Sequence, residues 1–92
     1  AMSYRIDFSP EAARSVSKFK KSNPRLFQKL VKVLDDIMEH PRTGIGHPEA
    51  LVGGGGITYS RRIGAQHRIL YDVYETEVRV LVLTVGGHYG DK

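Results

Sequence analysis

Prolines cut the first half of this chain into two helices that cannot merge, and this punctuation narrows the fold more than any other feature. Ser9-Pro10-Glu11 is a helix start: Ser9 can cap, Pro10 suits the first helical position, and Glu11 favours the positive end of the helix dipole. Ser22-Asn23-Pro24 repeats the stop-and-start signal, so a second helix begins at once. It ends near Glu39-His40-Pro41, because proline disfavours helix in the residue before it. The first helix carries one apolar stripe, Ala12, Val16 and Phe19, with Arg14, Lys18 and Lys21 left for solvent. The second carries a stronger stripe, Phe27, Leu30, Val31, Leu34, Ile37 and Met38. Two helices with so short a joint predict a helical hairpin.

Alternation takes over elsewhere. Tyr4-Arg5-Ile6-Asp7-Phe8 reads as a short strand ahead of the helices. Residues 57–63, 68–74 and 78–85 read as three more, joined by Gly64-Ala65-Gln66 and Glu75-Thr76 in antiparallel hairpins. The last of them is apolar at successive positions, which suggests a strand buried on both faces or an oligomer contact. Residues 41–56 read as loop, and Gly53-Gly54-Gly55-Gly56 lacks the Lys-Ser/Thr pair and following helix of a phosphate-cradling loop. The expected fold is α+β in the order β-α-α-β-β-β, a small twisted, mainly antiparallel sheet with the helix pair on one face.

At 92 residues the chain suits one domain, 1–92, with Ala1 ahead of Met2 reading as a cloning remnant. With no cysteine it has neither a disulfide framework nor a thiolate metal site, which fits a reducing cytoplasm. No apolar run approaches the roughly 20 residues that span a bilayer, and no signal peptide is visible, so no membrane partner is expected. Net charge is +4, from 14 Lys and Arg against 10 Asp and Glu. Such a balance favours a polyanion or an acidic protein as partner.

The polar residues of the second half offer a metal-free route to RNA cleavage. RNA carries its own nucleophile, the ribose 2′-hydroxyl. Cleavage then needs a base for that oxygen, an acid for the leaving 5′-oxygen, and cations for the charge that builds on phosphorus. Glu49 can be the base, His88 the acid, and Arg68 with Arg62 the cations, while Tyr89 can stack on a nucleotide base. Strand alternation is expected to stand Tyr59 and Arg61 beside Arg68 or its flanks. A blander reading stands beside this one: arginines on a strand edge are commonly solvated, and a His-Tyr pair near a terminus is commonly a frayed tail. His40 is explained as a cation near a helix C-terminus, and Tyr71 and Tyr74 as sheet packing. His47, Glu49, His67 and His88 show no paired metal-ligand spacing, so neither a metal nor any other cofactor is expected.

Pro48-Glu49-Ala50-Leu51, then Tyr59-Ser60-Arg61-Arg62-Ile63, then His67-Arg68-Ile69-Leu70-Tyr71, with His88-Tyr89 near the end, resemble the YoeB/Txe toxins. These belong to the RelE superfamily of bacterial toxin–antitoxin systems, and the likeness runs over nearly the whole chain. The resemblance implies a RelE-like fold and a ribosome-dependent mRNA endonuclease acting in the A site, leaving a 2′,3′-cyclic phosphate and a 5′-hydroxyl. It implies Glu49 as general base, His88 as general acid, Arg68 on the scissile phosphate with Arg62 assisting, and Tyr89 orienting the nucleotide. Tyr59 and Arg61 join Arg62 as expected RNA-binding residues. The partners implied are a cognate acidic antitoxin, the 70S ribosome with mRNA in its A site, operator DNA through the antitoxin only, and a second copy in a homodimer. The implied location is the bacterial cytoplasm. The alternatives are a non-catalytic basic module that acts with an antitoxin as co-repressor, or a gyrase poison of the ParE branch. Three departures stand out: Val52 where related toxins can carry lysine, the four-glycine run, and Gly90-Asp91-Lys92 beyond the usual terminal tyrosine.

Overall fold

The computed structural model describes residues 3–87. The candidate residues His88 and Tyr89 lie outside that range. Strand β1 (Arg5–Phe8) leads into helices α1 (Pro10–Ser22) and α2 (Pro24–Glu39), followed by β2 (Glu49–Ala50), β3 (Thr58–Arg62), β4 (His67–Tyr74) and β5 (Arg79–Gly87). The helix boundaries follow the proline punctuation. Ser9 Oγ accepts from the Ala12 N–H and donates to the Leu83 carbonyl, so the α1 cap also ties that helix to β5. Asn23 caps α2 by accepting from the Leu26 N–H.

The five strands form one mixed sheet in the order β1-β5-β4-β3-β2, with β1 parallel to β5 and every other pair antiparallel. The apolar strand β5 thus lies inside the sheet, between β1 and β4, which accounts for its unbroken hydrophobic run. Strand β2 is an addition to the expected order. Glu49 and Ala50 pair with Ser60 and Tyr59, and the four-glycine run becomes the tip of a β2–β3 hairpin.

Both helices cover one face of the sheet. The core joins Ala12 of α1 and Leu26, Leu30, Val33 and Ile37 of α2 to Ile63, Ile69, Tyr71, Val73, Val80, Val82 and Val85. The α2 stripe is therefore rotated from the expected one. Leu26 and Val33 point inward, while Val31 is 39% exposed and Phe27 lies under the Lys20 ammonium at the flank. The helix is apolar over a wide arc, and the sheet selects the Leu26-Leu30-Val33-Ile37 side of it. Truncation should read this rotation directly. Leu30→Ala should cost about 2–5 kcal/mol and Val31→Ala within about 0.5 kcal/mol, measured by urea denaturation.

Candidate active site on the open face of the sheet

Strand alternation sorts the candidate residues onto two faces. Ile69, Tyr71 and Val73 of β4 point into the core, so the partners of Ile69 and Tyr71 on β3, Arg61 and Tyr59, share the helix-covered side. Ser60 and Arg62 take the other side, opposite Leu70 and Arg68. The register continues outward: Glu49 pairs with Ser60, and Arg68 pairs with Gly86 of β5. Glu49, Ser60, Arg62 and Arg68 therefore occupy the helix-free face together. Glu49 stands diagonal to Arg62, a separation of about 7–8 Å between such neighbours.

The two arginines on this face are directly opposite each other. Like charges in that arrangement destabilise a sheet, and neither guanidinium has a carboxylate within 4.0 Å among the described residues. Arg5, Arg42, Arg61 and Arg79, by contrast, each hold an acid. An opposed arginine pair with no acid partner among the described residues can accept an anion, and forked donors suit a phosphate. Arg62 also borders a groove of about 280 Å³ shared with Lys29 and Lys32, so the basic surface extends around the end of the sheet to α2.

Two of the expected RNA contacts are corrected. Arg61 is not a solvated edge cation: its side chain is fully buried and all its donors are taken within the protein, so it offers nothing to RNA. Tyr59 lies on the helix side, stacked on Tyr71 with ring centroids 6.1 Å apart, away from Arg68. His67 also faces the helices, edge-on to Phe19 at 5.6 Å. His47 sits in the loop before Glu49 with φ 53°. Among the described residues no three His, Cys, Asp or Glu side chains gather as a metal site. No helix there is long and apolar enough to cross a membrane.

Residues 8–89 match the family profile of the YoeB-like toxin of bacterial type II toxin–antitoxin systems. The chain belongs to that family, within the RelE superfamily. The Toxin YoeB of Mycobacterium bovis is 29% identical over 76 residues, covering 83% of this chain and 89% of that protein. A YoeB/ParE toxin from Agrobacterium tumefaciens has a TM-score of 0.85 at 26% identity, covering 92% of this chain and 99% of that one. Staphylococcus aureus YoeB, solved in complex with YefM, has a TM-score of 0.81 at 31% identity, covering 94% and 98%. It has also been solved as a dimer.

In this YoeB-like chain two residues of consequence were missed from sequence, Ser60 and Asp36. Ser60 sits between Glu49 and Leu70 across the open face and is buried at 4% exposure. Asp36 lies one position before Ile37 and one turn after Val33, on the core side of α2, and this was the available signal. It accepts from Arg61 Nη1 at 2.5 Å and from the Ile45 N–H at 3.1 Å. Burial pushes the Asp36 carboxyl up, but the hydrogen bonds from Arg61 and Ile45 and the guanidinium charge outweigh it and hold the group below its ordinary value. Burial raises the Tyr71 phenol, with Arg61 opposing.

A folded-state value below the unfolded one stabilises above the unfolded pKa, about 3.9 for Asp, and that contribution is lost as pH falls through the folded value. Between pH 5 and 2, wild-type stability in urea should fall more steeply than that of Asp36→Asn, which lacks the titrating group.

Proposed function

We propose that this toxin is a ribosome-dependent, metal-independent endoribonuclease that cleaves mRNA in the A site. The observation that carries the reading is the opposed pair Arg62 and Arg68 on the open face, unpaired by any acid there and diagonal to Glu49. His88 and Tyr89 follow Gly87, the last residue of β5, and the family match extends to residue 89.

In this reading Glu49 takes the proton from the ribose 2′-hydroxyl, and that oxygen attacks phosphorus. The bond to the 5′-oxygen breaks as His88 hands its proton to the leaving group, giving a 2′,3′-cyclic phosphate and a 5′-hydroxyl. Arg68, with Arg62 beside it, stabilises the charge on the equatorial oxygens, and two forked guanidiniums suit that geometry. Tyr89 stacks on the nucleotide and orients it. The ribosome supplies the mRNA in a fixed conformation, which suits so shallow a site. An acidic antitoxin is the natural inhibitor of this basic face, as YefM partners the Staphylococcus aureus relative. Operator binding through that antitoxin, a homodimer and a cytoplasmic site of action complete the reading.

Single-turnover cleavage on programmed ribosomes tests it. Wild-type cleavage should be bell-shaped in pH, Glu49→Gln should lose the ascending limb with most of the rate, and His88→Ala the descending limb. Loss of about 10²–10⁴-fold in rate with an unchanged fold is the scale expected for either group. Equal cleavage by wild type and His88→Ala would remove the acid assigned here. Because the Agrobacterium relative is described as YoeB/ParE, gyrase supercoiling is assayed in parallel. Inhibited supercoiling without mRNA cleavage would replace the nuclease by a gyrase poison, and neither activity would leave a binding module.

A further inference from the structure

The loop that delivers Glu49 to the sheet is held by one buried guanidinium. Arg61 Nε donates to Tyr71 Oη at 2.9 Å, and Nη1 donates to Asp36 Oδ2 at 2.5 Å and to the Ile45 carbonyl at 3.1 Å. Nη2 donates to the Thr43 carbonyl at 2.7 Å and to the His40 carbonyl. These bonds use every donor a guanidinium has. Three of the five acceptors are carbonyls of the 40–46 loop. The two side-chain acceptors grip the same loop in turn: Tyr71 Oη donates to the Pro41 carbonyl at 2.7 Å, and Asp36 accepts from the Ile45 N–H.

The loop sequence is shaped for this enclosure. A Cβ built on Gly44, where φ is +120°, would lie 1.9 Å from Asp36 Oδ2. One built on Gly46, where φ is +82°, would lie 2.7 Å from the Arg62 carbonyl. Both positions exclude a side chain on two counts, a close approach and a left-handed backbone. The Gly46 carbonyl accepts from the Arg62 N–H at 2.7 Å, joining the end of the loop to β3.

Glu49 stands three residues past Gly46, on a strand only two residues long at the sheet edge. So short an edge strand has little hold of its own, and its position depends on how the chain arrives. We infer that Arg61 is a positioning residue. With Asp36 and Tyr71 it latches the 40–46 loop, and so keeps Glu49 diagonal to Arg62 on the opposite face of the same strand. The inference rests on the nuclease reading of Glu49. Arg61 itself touches no RNA.

Tyr71→Phe tests the latch, since it keeps the ring in the core and removes only the hydroxyl shared by Arg61 and Pro41. Two quantities are measured on the full chain: amide hydrogen exchange over residues 42–51, and single-turnover cleavage across a titration of programmed ribosomes. Exchange in the loop should rise at least about tenfold while β4 and β5 stay protected. The maximal cleavage rate should fall about 10–100-fold, as misplacement of a reacting group does, with half-saturation by ribosomes unchanged. Should Tyr71→Phe loosen the core as well, Gly44→Ala is read by the same criteria, because it removes no core side chain and acts on the loop backbone and its contact with Asp36. Val80→Ala, between β1 and β4 on β5, serves as a control that weakens the core away from the loop. Unchanged loop exchange, a loosened loop with an undiminished maximal rate, or an equal loss of rate in Val80→Ala would each overturn the inference. A wild-type chain that cleaves nothing would instead overturn the nuclease reading, and loop exchange would still report whether the latch exists.

Discussion

A guanidinium buried on the helix-covered side of the β3 strand governs the rest of this small protein. Taking an arginine out of water is costly unless its charge and all its donors are matched. Arg61 meets that demand with one carboxylate, one phenol and three backbone carbonyls. The chain from His40 to Ile45 has no regular secondary structure, so those carbonyls would otherwise need water. One side chain thus satisfies the loop, and the loop satisfies the side chain. Asp36 brings α2 into the same arrangement and Tyr71 brings β4, so helix, loop and sheet are tied at one point.

The same strand separates structure from chemistry by simple alternation. Tyr59, Arg61 and Ile63 turn toward the helices, while Ser60 and Arg62 turn away. The inward residues build the core and its latch. The outward ones meet Glu49 on one side and Arg68 on the other, on a face without helices. Two opposed arginines there weaken the sheet in isolation, a cost expected where an anion is meant to bind.

Much of this was legible in the sequence. Pro10, Pro24 and Pro41 marked the helix limits, since proline acts through local sterics that tertiary packing seldom overrides. The family motifs were equally plain, being short and local. Arg61 read two ways from sequence, as an RNA contact and as a largely structural residue, because a strand arginine is solvated by default and only its parity with Ile63 argued for burial. The α2 stripe was misjudged because Leu26, Phe27, Leu30, Val31, Val33 and Leu34 leave little of that side polar. Which part of so wide an arc is buried depends on the sheet, not on the helix. Strand β2 escaped notice because two residues carry no period, and its pairing is made by a distant strand. His88 and Tyr89 were named from motif and chemistry, and their roles stand on the proposed mechanism.

The claim that Arg61 and Asp36 act as one unit is open to a double-mutant cycle. Stability in urea is measured for wild type, Arg61→Met, Asp36→Ala and the double variant. Removing Asp36 alone leaves a buried charge without its counter-ion, a loss of about 3–5 kcal/mol for such pairs. In the double variant that charge is gone, so the two changes together should cost less than their sum by about 1–3 kcal/mol. Costs that add to within about 0.5 kcal/mol would mean that the two residues do not depend on each other, and the organising role given to this buried pair would be wrong.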